Sequence, residues 1–156
     1  MKKLLLLGIL LILLFSPFAR RDVAEILPVE TLVLSQQGED CRLSTDLGYY
    51  GIGATPKQAL ENLLETAPGK IVLSTTRSLV VEAKETLYGL LKLDALRPGT
   101  ALFFTRQPVD AGDCNLYVSR HRGDATIGKY LACLTTGEIL AVPVLEGENG
   151  RYRLEK

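Results

Sequence analysis

Tryptophan is absent, methionine occurs once, and His121 is the only histidine in 156 residues. A single imidazole excludes zinc sites built on two or more histidines, and H-E-x-x-H chemistry with them. Lysine plus arginine equals aspartate plus glutamate at 18 each, so no global field favours nucleic acid. The cysteines, Cys41, Cys114 and Cys133, are odd in number and lack C-x-x-C spacing. In an oxidising compartment one pair can bridge and leave a free thiol; as scattered residues they also read as small buried hydrophobes. There is no N-x-[ST] glycosylation acceptor, no G-x-S-x-G elbow to present a serine, and no internal repeat.

Other chemistry-bearing residues read as ordinary structure. His121 is placed to pair only with Ser119 or Cys114, and it sits in the polar stretch "SRHRGD". Gly48, Gly51 and Gly53 precede a helix, but Pro56 stands where a G-x-G-x-x-G fingerprint needs its third glycine. The carboxylate pairs Glu82/Glu85 and Glu146/Glu148 fall at helix-start and turn positions, where the helix dipole or water accounts for them. Arg122–Asp124 is an RGD tripeptide, too short to carry a binding function and read as a turn. No catalytic, cofactor-binding or metal-ligating residues are assigned, and the protein is expected not to be an enzyme.

What is present begins with "MKKLLLLGILLILLFSPFARRDV". Lys2 and Lys3 precede an apolar run from Leu4 to Phe15. That is the basic n-region and short h-region of an export signal, and it is short of the ~20 residues a spanning helix needs. Cleavage after Ala19 puts Pro17 at the −3 position, and cleavage after Ser16 puts Leu14 there. Neither is the small residue that signal peptidase prefers. Residues 1–19 are therefore read as a signal peptide or membrane anchor, and 20–156 as one domain. The expected location is the extracytoplasmic face, anchored or exported.

The composition, 47% hydrophobic and 23% charged, is that of a folded domain. Strand-like residues at 29–36 and 41–53 flank a turn at 37–40. The stretch "ATPKQALENLLETAPG" predicts a helix, with Thr55 as N-cap, Pro56 at the first position and Pro68-Gly69 as stop. A strand over 70–83 with a break near "STTR", a helix over 84–96 and a strand over 100–107 follow. Residues 108–113 read as a linker. A short helix at 126–137 then leads to a hairpin about "EGENG", in which Pro143 suggests an edge strand. The expected fold is α+β: two layers, a mixed and mostly antiparallel sheet with two or three helices on it, preceded by the N-terminal hydrophobic helix.

Several segments together resemble a known family. "SPFARRDV" (16–23) is similar to a "GCWDRREI"-like junction, with Arg20, Arg21 and Asp22 matching its charged residues and Phe18 standing for its tryptophan. The segments at 54–85, 87–108 and 126–145 resemble its later helix–strand units in the same order. The family is Ger(x)C, the C subunit of nutrient germinant receptors in endospore-forming bacteria. Members are longer, with further domains. Their lipidated cysteine falls at Pro17, which cannot be acylated, so no lipidation residue is assigned. The resemblance implies a non-catalytic, membrane-associated subunit that assembles with other receptor subunits in nutrient-triggered spore germination. The alternative is an exported small-ligand or cell-wall binding module, for which Tyr49, Tyr50, Phe103 and Phe104 are the candidate aromatics.

Overall fold

The computed structural model describes residues 26–121, 123–148 and 151–155. The expected N-terminal helix and the junction after it lie outside them. The described chain opens with β1 (Ile26–Pro28), β2 (Thr31–Gln37), β3 (Asp40–Thr45) and β4 (Tyr50–Gly53). It continues with α1 (Pro56–Thr66), β5 (Lys70–Val72), a 3₁₀ turn at Leu73–Thr75 and β6 (Ser78–Val81). Then come α2 (Lys84–Leu91), β7 (Ala101–Thr105), α3 (Ala111–Arg120), α4 (Ile127–Thr136), β8 (Val144–Glu148) and β9 (Arg151–Glu155).

Seven strands form one sheet in the order β4-β3-β2-β6-β7-β8-β9, and β1 pairs with β5 separately. The α+β class and the mixed sheet agree with expectation; the balance of directions does not. The pairs β2–β6, β6–β7 and β7–β8 are parallel, and β3–β4, β2–β3 and β8–β9 antiparallel. The reason is connectivity. A strand that returns through a helix re-enters the sheet in the same direction, whereas a tight turn reverses it.

The layering also differs from expectation. Leu32, Leu34, Leu79, Leu102 and Phe104 pack on one face with Leu63 of α1, Leu87 of α2 and Ile127 of α4. On the other face Val33, Val80, Phe103 and Leu145 pack with Ala111, Cys114 and Val118 of α3. The described domain therefore has three layers and four helices rather than two layers with two or three. Each fully buried leucine contributes about 2 kcal/mol of transfer free energy, so both faces matter to stability.

Local signals explain the boundaries. Thr55 caps α1, its side chain accepting the Gln58 N–H, with Pro56 at the first turn. Helix α2 stops at Leu91, short of the expected 96, and Asp94 takes the left-handed conformation at φ 49° that turns the chain toward β7. Thr126 caps α4 and Gly137, at φ 75°, ends it as expected. The expected extended segment 41–53 divides into β3 and β4 at a turn containing Gly48. The final hairpin forms, but β8 starts after Pro143 and lies between β7 and β9, so β9 is the edge.

Candidate functional site

Strands β2, β6 and β7 run side by side, with Thr31, Ser78 and Ala101 in register at their starts. The loops feeding those strands, together with the turn after β3, border an open crevice of about 740 Å³. Its wall includes Glu30, Asp46, Thr76, Arg77, Arg97 and Thr100.

Asp46 is held by its surroundings. Its Oδ1 accepts the backbone N–H groups of Glu30 and Thr31 at 3.1 and 3.2 Å, and its Oδ2 accepts Asn115 Nδ2 at 3.4 Å. Asn115 is fixed in turn by Thr31 Oγ1, which donates to its Oδ1 at 2.7 Å. Burial pushes the Asp46 carboxyl above its ordinary value, outweighing the backbone hydrogen bonds that favour the charged form.

The basic side is more open. Arg77 is tied down through its backbone, whose N–H donates to Glu30 O at 2.8 Å and whose carbonyl accepts the Ala101 N–H at 2.8 Å. Its side-chain Nε lies 3.8 Å from Glu30 Oε1, an exposed pair worth under about 1 kcal/mol. Arg97 makes no ion pair among the described residues. Between the guanidinium-bearing loops, Thr100 Oγ1 donates to Thr76 O at 3.0 Å. Thr76 is 3% exposed, and among the described residues neither its Oγ1 nor the buried Ser78 Oγ has a hydrogen-bond partner.

A groove of about 830 Å³ lies at the opposite end of β7, beside Arg106 and the β8–β9 hairpin. Most of its charges pair with one another. Arg106 Nη1 is 2.9 Å from Glu146 Oε1 and 3.3 Å from Glu155 Oε2, and Arg153 Nη2 is 2.5 Å from Glu146 Oε2. Hydrogen bonding to Arg153 holds the Glu146 carboxyl below its ordinary value. This network braces the hairpin and leaves less for a ligand than the crevice at the strand starts.

The residues singled out in the sequence are dispersed. His121 is exposed, its Nδ1 2.9 Å from Tyr117 O and its ring stacked on Tyr117. Ser119 Oγ donates to Leu116 O at 3.0 Å. Cys114 is buried against the sheet, and burial pushes its thiol up to about 12. Each is thus occupied on its own helix. All three cysteines are free thiols.

Gly51 and Gly53 lie against α1, where they admit its backbone, and no phosphate cradle is formed. Glu82 Oε2 accepts the Gln36 N–H at 3.0 Å, joining the ends of β2 and β6. Glu85 stands in the first turn of α2, while the side chain of Glu148 and all of Arg122 lie outside the described residues. The four candidate aromatics do not converge: Phe103 and Phe104 are buried on opposite faces of the sheet. Tyr49 is half-buried against the α1 side, and Tyr50 is exposed beneath the Arg42 guanidinium.

Among the described residues no group of three or more metal-ligating side chains converges, and no helix is long and apolar enough to cross a membrane. No protein-family model matches the chain, and no curated protein or solved structure matches it.

Proposed function

We propose that the protein is a non-catalytic, membrane-associated subunit resembling the germinant-receptor C subunit. Its role is assembly with other membrane subunits in nutrient-triggered spore germination. The observation that carries this reading is the order of elements. The resembling segments cover helix–strand units in chain order: 54–85 holds α1, β5 and β6, 87–108 holds most of α2 with β7, and 126–145 holds α4 with the start of β8. Residues 1–19 act as the anchor or export signal, and residues 20–156 form the assembly domain.

The test is made in the native host with the full chain. Detergent extracts of spore membranes are expected to yield the protein at full-length mass together with multi-pass receptor subunits. Deletion of its gene is expected to slow germination on nutrients while leaving a non-nutrient trigger effective. A soluble product beginning near Arg20 and no co-purifying membrane subunit would overturn the assembly reading.

The second reading, an exported small-ligand module, draws support from one feature, the crevice at the starts of β2, β6 and β7. The aromatic side chains named for such a module do not line that crevice.

A further inference from the structure

Strands β6 and β7 are parallel neighbours, and the chain leaves their carboxyl ends toward opposite faces of the sheet. After β6 it enters α2, whose Leu87 packs on the face that α1 covers. After β7 it enters α3, whose Cys114 and Val118 pack on the other face. Connections that part in this way leave a gap outside the strand ends, the place where open parallel sheets accept ligands. Here the gap is an open cleft of about 470 Å³. It lies at the other end of the strands from the crevice beside Asp46, and it meets the hairpin groove at Arg106, which lines both.

The cleft combines an apolar wall with a basic rim. Phe104, near the end of β7, lines it together with Leu140, Val142 and Val144, half-buried residues of the stretch that enters β8. Lys84 and Arg106, both exposed, supply the rim. Lys84 Nζ stands 4.9 Å from the centre of the Phe104 ring, so a cation is held where the apolar and basic parts meet. Among the described residues Lys84 has no ion pair. Arg106 spends Nη1 alone on Glu146 and Glu155, which leaves its Nε and Nη2 able to donate. Glu82, the one carboxylate lining the cleft, is tied to β2, its Oε2 accepting the Gln36 N–H.

These features discriminate by chemistry. An ammonium ligand meets Lys84 as a like charge, and a wholly polar anion leaves the apolar wall unmatched. A molecule with a carboxylate at one end and hydrocarbon at the other matches both parts. The volume lies within the range of small-ligand sites. We propose that this cleft binds a small monocarboxylate with an uncharged hydrocarbon body. Its carboxylate accepts charge-assisted hydrogen bonds from Lys84 Nζ and from Nε or Nη2 of Arg106, and its hydrocarbon lies on Phe104, Val142 and Val144. The site does not depend on assembly with membrane subunits.

The experiment uses the full chain in micelles of an uncharged detergent, with empty micelles as the blank. Hexanoate is the probe; saturation-transfer NMR reports contact and titration calorimetry the affinity. Hexanoate is expected to bind saturably with a Kd on the order of 1 mM. Acetate, which lacks the hydrocarbon, and hexanamide, which lacks the charge, are each expected to bind about tenfold more weakly.

Lys84→Gln is the distinguishing variant. Lys84 is exposed and has no carboxylate partner, so its replacement is expected to leave the unfolding midpoint unchanged while lowering hexanoate affinity about tenfold. Lys84→Arg, which keeps the charge, is expected to hold the affinity within about threefold. A merely structural lysine would move the midpoint and not the affinity. The proposal is overturned if hexanoate shows no saturable binding up to about 20 mM, or if acetate or hexanamide binds as well as hexanoate. It is equally overturned if Lys84→Gln binds hexanoate like the wild type, or if inorganic phosphate binds with the Lys84 dependence while hexanoate does not.

Discussion

Gly51 of β4 lies in backbone contact with Ala59 of α1: a Cβ added to Gly51 would stand 2.1 Å from the Ala59 carbonyl oxygen and 2.4 Å from Leu63 N. The atoms it would meet are main chain, so no rotamer change relieves the clash. The helix and strand must separate. Gly51→Ala is therefore expected to destabilise the domain by about 3 kcal/mol, read as a lowered urea midpoint. Gly38→Ala is a useful contrast. It meets nothing within 4 Å, and its cost comes only from the positive φ of 65°. Equal losses at the two positions would rule out the close helix–strand packing.

Asp46 makes stability depend on pH in a defined direction. Its carboxyl holds a proton more tightly in the folded chain than at the ordinary value of 3.8. The stabilisation linked to that proton is fully present below the unfolded value and is lost as pH rises through the folded one. Asp46→Asn keeps an acceptor for the Glu30 and Thr31 N–H groups and removes the titration. Urea midpoints of the two proteins, compared between about pH 3 and about pH 6, are expected to shift progressively against the wild type. A difference that stays constant, or moves the other way, would contradict the burial of this carboxyl.

The legible parts of the fold were those with strong local chemistry. Thr55-Pro56 before an apolar stripe marked α1, and Thr126 with Gly137 bracketed α4. Helix α3 was hidden because "DAGDC" reads as a turn and its buried stripe, Ala111, Cys114 and Val118, uses small side chains. Its clearest mark was Asp110, whose carboxylate accepts the N–H groups of both Gly112 and Asp113. Missing α3 also concealed the third layer. A signal for that layer existed in the strands: every residue of Ser78–Val81 and Ala101–Thr105 is buried, and unbroken apolar runs suit strands covered on both faces. The crevice was illegible for a different reason. Asp46, Thr76 and Arg97 are far apart in sequence, and only the parallel register of β2, β6 and β7 brings their loops together.

The cysteines are expected to differ sharply toward a thiol reagent. Cys114 is fully buried with its thiol pushed up to about 12, and Cys41 is buried with its thiol also raised, first by burial. Cys133 is only partly covered on α4. Because the thiolate is the reacting species, iodoacetamide at mildly alkaline pH should add one label quickly, at Cys133. The other two should follow only as fast as the domain opens. Intact-mass measurement over time checks this, and rapid addition of two or three labels would show that the sheet does not cover Cys41 and Cys114.

Under the assembly reading, helix α4 and the segment after it are the candidate contact surface. Ile127 is the one residue of α4 that is buried, whereas Leu131 and Leu134 are each 42% exposed and Ile139 is 98% exposed. These three side chains gain little from the domain they belong to, and exposed apolar surface of this kind marks interaction sites. Under the assembly reading these side chains meet a receptor subunit. Replacing Leu131, Leu134 and Ile139 together by serine removes contacts that the isolated domain scarcely uses, so each change should cost no more than about 0.5 kcal/mol in unfolding free energy. Recovery of co-extracted membrane subunits should nevertheless fall about tenfold, as for loss of a central apolar contact. Undiminished co-extraction by the triple variant would place the interface elsewhere on the domain. A large loss of stability would instead show that α4 is held by its own fold.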